Sequence, residues 1–134
     1  MLETPIIIQK QPTPVTCVHA CLAMCLGVPV EDVISVFGDQ AMNGQDLIVA
    51  LTRCRVLFNP MAFGTLLFDG YYFAVVPSLN HRGGNHQVIL HSKDWNITVF
   101  DPSTMQAYRE DGKDLVSWSE LIPFLPGGTL PKTK

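Results

Sequence analysis

The chain carries few charges and no cluster of them. Of its 134 residues, 9 are Lys or Arg and 12 are Asp or Glu, for a net charge of −3 and a pI of about 5.7. No basic stretch is present to neutralise phosphates, so neither nucleic acid nor anionic membrane is expected as a partner. No apolar run approaches the roughly 20 residues that span a bilayer. The opening Met1-Leu2-Glu3-Thr4-Pro5 has an acid where a secretory signal has basic residues. With neither anchor nor signal, a cytoplasmic location is expected. Internal repeats, low-complexity blocks and interdomain linkers are also missing. So is any Cys-x2-Cys pair. Cys17, His19, Cys21 and Cys25 make a poor metal set. Only the three cysteines share a helix face, and their sulfurs spread over two turns. No metal is expected, and the four cysteines read as reduced thiols.

What is present is apolar: 47% hydrophobic residues, with a mean hydropathy of +0.21. That suffices for one domain over 1–134 with a real core, residues 128–134 forming a flexible tail. The spacing predicts an entering strand over 5–10 and an extended loop at Gln11-Pro12-Thr13-Pro14. Helices follow over 17–26, from about 30 to Gly38, and over about 45–54 capped by Asn43. Strand candidates then occupy 55–59, 65–68, 71–76, 86–92 and 96–101, with an edge strand at 106–108. The runs 86–92 and 96–101 pair as a hairpin. Ser117 caps a last helix over 118–124. Helices first and strands after them give an α+β class with an antiparallel sheet.

Thr16-Cys17 opens the first helix. A Thr16 N-cap would put Cys17 at the positive end of the helix dipole, where unpaired N–H groups stabilise a thiolate. Cys17 is therefore a candidate nucleophile. Its candidate base lies in Gly84-Asn85-His86, at the head of the hairpin. If the turn centres on 93–95, opposed residue numbers sum to about 187–190, which sets His86 within a few positions of Asp101. Asp101 then orients the imidazole, provided the register does not slip by one. The Cys17 backbone N–H and the Gln11 carboxamide, six residues upstream across a proline-stiffened loop of five, are candidate oxyanion donors.

Bland roles compete. Cys21, Cys25 and Cys54 read as core packing. His81 is a rival base, His91 falls on the opposite face of its strand, and His19 points away from Cys17 on the helix. Asp101-Pro102 can be a mere turn starter, and Gln11 a solvated amide. Gly83-Gly84 is a flap or a plain turn. Alternate members of Tyr71-Tyr72-Phe73 are expected to face solvent or a groove.

Taken together, Gln11, Cys17, the run Cys21-Leu22-Ala23-Met24, Gly84-Asn85-His86 and Asp101-Pro102 resemble a known family. They look like the bacteriocin-processing, double-glycine-leader cysteine peptidases of the papain-like superfamily. The similarity runs over about residues 8–103, about 70% of the chain. It implies a papain-like fold with Cys17 as nucleophile, His86 as base, Asp101 as orienter and Gln11 on the oxyanion. It also implies cofactor-free hydrolysis of a peptide or isopeptide bond. Thr16 stands where that family often has an acid, and Val18 where it usually has Gly. No membrane or nucleotide-binding segment follows, so a fused exporter is not expected. Gly127-Gly128 matches the family's cleavage preference and raises the idea that the chain processes or binds its own tail. The alternatives are a silent binding module or inhibitor on the same scaffold, or an acyltransferase.

Overall fold

A computed structural model describes residues 6–60, 69–77, 85–94, 96–103, 106–110 and 119–133. Among these residues three helices come first: α1 (Cys17–Leu26), α2 (Val30–Phe37) and α3 (Gly44–Arg53). Five strands follow: β1 (Gly70–Pro77), β2 (Asn85–Lys93), β3 (Asn96–Asp101), β4 (Gln106–Glu110) and β5 (Ser119–Phe124). All pairings are antiparallel, in the order β4-β3-β2-β1-β5. The protein is α+β. Among the described residues no single helix is long and apolar enough to cross a membrane.

Local sequence explains the helices. In α1 every residue from Val18 to Cys25 is buried, as expected of a helix that is apolar all round. Gly27 ends it in the left-handed conformation (φ +70), its N–H bonded to the Ala23 carbonyl. Pro29 then precedes α2, whose first turn carries Glu31 and Asp32 at the favourable dipole end. Asn43 and Asp46 form a reciprocal capping box on α3.

The predicted strand over 5–10 is not one. The described part, 6–10, runs irregularly across the α1–α2 turn. There the Gln9 side chain donates to the Val28 carbonyl and accepts from the Val30 N–H, doing the work of a ladder. Within 55–59 only Phe58 pairs, in a single bridge to Phe124. The predicted strand at 65–68 lies outside the described residues.

The predicted helix over 118–124 is β5 instead. It pairs with β1 (Tyr71 with Phe124, Phe73 with Ile122), and the Phe124 ring stacks on Phe73 at 4.0 Å. Pro123 suits such an edge strand and does not suit a helix interior. Ser117, the proposed cap, lies outside the described residues.

Core lies on both faces of the sheet. On one, Phe73, Ile89 and Ile122 pack with α1 and its neighbours; Tyr72, Val88, Leu90, Val99 and Leu121 form a second buried cluster. Hence Tyr71, Tyr72 and Phe73 are all buried, contrary to the expectation that alternate rings face solvent.

The expected loose tail is docked. Gly127 N–H bonds to the Cys25 carbonyl, Thr129 N–H to the Cys54 carbonyl, and the Arg53 guanidinium to the Thr133 carbonyl. Gly128 sits at φ +98, where an added Cβ would come within 2.6 Å of the Cys54 carbonyl oxygen. Gly27 is also left-handed but has open space around it. Gly128→Ala should therefore cost about 2 kcal/mol or more, and Gly27→Ala only about 1 kcal/mol, in chemical denaturation. Equal losses would remove the close-approach argument.

Candidate active site

The nucleophile position is built by the chain around Thr13 and Thr16. Thr16 is fully buried, but its hydroxyl makes no cap bond to the first turn. It turns back, accepting from the Thr13 N–H (3.0 Å) and Thr13 hydroxyl and donating to the Thr13 carbonyl. This corrects the expected N-cap. The loop carrying Pro12 and Pro14 brings Thr13 within reach, and at ψ 27° Thr16 lacks the extended backbone of a capping residue. The first turn of α1 thus starts without a side-chain cap, and the Val18 backbone N–H supports the Cys17 sulfur.

The base arrives on β2. The β2–β3 pairs sum to 189, as in Ile89 with Phe100 and Leu90 with Val99. Extending that register sets Asp101 opposite residue 88, so His86 lies two positions further on. An offset of two preserves the face, where an offset of one would reverse it. Diagonal neighbours remain within reach of an imidazole. His86 Nε2 meets Asp101 Oδ1 at 2.7 Å, both side chains being largely buried. Ser103 donates to the same oxygen from its N–H (2.9 Å) and hydroxyl (2.8 Å). With Nε2 committed to the carboxylate, Nδ1 is the nitrogen left for a nucleophile.

That nucleophile is in place. His86 and the Cys17 thiol line one hollow of about 250 Å3, shared with Val18, Met42, Asn43, Gly44, Val75 and Gln87, and each shifts the other's titration. Burial pushes the Cys17 thiol up, but His86 and the backbone amides of Gln87 and Val18 outweigh it and hold the thiol below its ordinary value. Burial pulls His86 down; Asp101 and the sulfur more than reverse this and raise it to about 9. Burial raises Asp101, yet bonds from His86 and Ser103 leave it lowered. All three shifts favour a thiolate–imidazolium pair held by a carboxylate.

Gln11 is not among the residues that line this hollow. Its N–H donates to the Pro102 carbonyl at 2.8 Å, tying the loop to the neighbouring end of β3. Its side-chain Nε2 donates to Thr13 O at 2.9 Å, while Oε1 is buried without a hydrogen-bond partner.

Among the described residues, no other cysteine or histidine lines this hollow. Cys21 and Cys25 are buried in α1, and burial raises both thiols, Cys25 to about 12. Cys54 is buried at the end of α3. His91 stacks on Tyr71 at 4.2 Å, and His19 lies buried beside Gly38 and Asp39. His81 and Gly83-Gly84 fall outside the described residues. Gly127-Gly128 lies beside Cys25, about 12 Å along the helix from Cys17 at 1.5 Å per residue. In this fold the pair is no substrate of the chain's own thiol. Larger hollows of about 670 and 500 Å3 occur between α2 and α3 and beside the α1–α2 turn, and no histidine lines either.

Sequence reasoning missed Gln87, a buried polar residue directly after the base. The only sign was a glutamine opening an otherwise apolar run, Val88-Ile89-Leu90. Comparison with models of known families and with characterised proteins returns no match.

Proposed function

We propose that the protein is a cysteine peptidase on a papain-like scaffold, hydrolysing a peptide or isopeptide bond without a cofactor. The observation that carries this is the His86 imidazole, held by Asp101 at 2.7 Å and sharing one hollow with a Cys17 thiol whose pKa it lowers.

The residues supply each step. The Cys17 thiolate attacks the carbonyl carbon; a C–S bond forms and the π pair moves to oxygen. Backbone N–H groups at the α1 start are placed to stabilise that oxyanion, and the Gln11 carboxamide is the candidate second donor. As the C–N bond breaks, His86 gives its proton to the leaving amine, and a thioester remains. Water then attacks the thioester, His86 takes the water proton, and the thiolate leaves with the product acid formed. Asp101 keeps the ring oriented and supports its charge throughout. Val18 and Met42 beside the sulfur favour a narrow substrate segment. A thiolate poised for attack also fits a reducing compartment, the cytoplasm.

The assembled pair supports turnover over a silent binding module. Acyl transfer shares the first half-reaction and differs in the acceptor, so product analysis with added amines separates it from hydrolysis. An electrophilic peptide such as a vinyl sulfone should label Cys17 alone, as read by peptide mass spectrometry. Label spread over the four cysteines, or none on Cys17, would end the peptidase reading.

A further inference from the structure

The β2–β3 ladder stops at Ile89 and Phe100, two residues short of Gln87. Beyond that point α1 takes the place of β3 as the hydrogen-bonding neighbour of β2. The Gln87 carbonyl accepts from Cys21 Sγ at 3.4 Å, and the Gln87 N–H supports the Cys17 sulfur. Two thiols one helical turn apart thus lie against one strand residue, Cys21 bonded to its carbonyl and Cys17 sharing a hollow with it. The Gln87 side chain, 4% exposed, reaches the other way. Its Nε2 donates at 2.9 Å to the Ala74 carbonyl, where the β1–β5 register shifts between Phe73 and Val75.

We infer that Gln87 and Cys21 are positioning residues for the nucleophile and its base. The Gln87 carboxamide anchors β2 to β1 at the irregularity, and the Cys21 thiol anchors β2 to α1. Together they fix the His86–Gln87 peptide, and with it the separation of imidazole and sulfur. Buried hydrogen bonds of this kind hold one geometry because breaking them strands a polar group away from water. The inference rests on the reading of Cys17 as the nucleophile.

The test is the pH profile of Cys17 alkylation by iodoacetamide in the intact protein, followed by mass spectrometry. Gln87→Met keeps length and apolar bulk but removes the donor. It should slow alkylation at pH 6 by about five- to tenfold and displace the profile to higher pH. Cys21→Ala should displace it in the same direction. Cys21→Ser, which keeps a donor for the Gln87 carbonyl, should restore most of it. Lost melting temperature with unmoved profiles in Gln87→Met and Cys21→Ala would overturn the inference and leave the peptidase reading standing. A wild type lacking fast alkylation at pH 6 would overturn both. Should Gln87→Met fail to fold, the Cys21 pair decides alone.

Discussion

Cys17→Ala and His86→Ala should each abolish amide hydrolysis, with a fall on the order of 10^3-fold or more. Both residues form one device, so the double variant should be scarcely worse than either single one. That non-additivity is the expected mark of a nucleophile and base acting together. Cys17 is only partly buried and its side chain is small, so the alanine variant should fold normally. Asp101→Asn should be milder, about 10- to 100-fold. The Ser103 donors and the His86 ring converge on a single Asp101 oxygen. An amide oxygen can keep those contacts while losing the charge that supports imidazolium. Gln11→Ala should lower kcat about 10^2-fold, with KM little changed, if its carboxamide serves the transition state. Full activity in Cys17→Ala would show that the hydrolysis belongs to another group. Additive losses in the double variant would mean that the thiol and the imidazole work apart.

Much of this site was legible because local punctuation surrounds it. Gly27, Pro29 and Gly38 bound α1 and α2 where the sequence reading put them, and the turn ending the β2 strand left His86 within two positions of its carboxylate. Asp94 at φ +52 provides the left-handed residue that a short hairpin connection needs. The failures share a different cause, in which a distant partner decides. Thr16 reads as a cap from its neighbours, but Thr13 competes for its hydroxyl. Residues 119–124 can be arranged as a helix until β1 offers an edge; Pro123 was the local warning. The aromatic run reads as half-exposed until the second face of the sheet acquires its own core. Gly127-Gly128 reads as a loose end until Cys25, Cys54 and Val56 are found packed around it. Gln87 carries no local signal of its role, because that role exists only where α1 displaces β3.

At pH 6 iodoacetamide should modify Cys17 at least about 10^2-fold faster than Cys21, Cys25 or Cys54. The argument is one of populations. With its thiol raised to about 12, only about one Cys25 in 10^6 is ionised at that pH. Cys21 is raised still more firmly by complete burial. Cys17 lies on the other side of its ordinary value and is paired with a cation. A low-pKa thiolate is intrinsically a weaker nucleophile, which offsets part of the advantage but far from all of it. The sign of the pH response follows from the same pair. As pH rises through the lowered Cys17 value, the thiolate–imidazolium state fills, and both alkylation and turnover increase. As pH rises through about 9, His86 loses its proton. Turnover should then fall, because no acid remains for the leaving amine, while alkylation should persist or quicken on the unpaired thiolate. In His86→Ala the acid-side alkylation should vanish and its midpoint move up toward the ordinary thiol value of 9.0, since only the Gln87 and Val18 backbone amides then oppose burial. A His86→Ala protein alkylated at pH 6 as fast as the wild type would show that the imidazole does not activate the sulfur, and the proposed chemistry would fall with it.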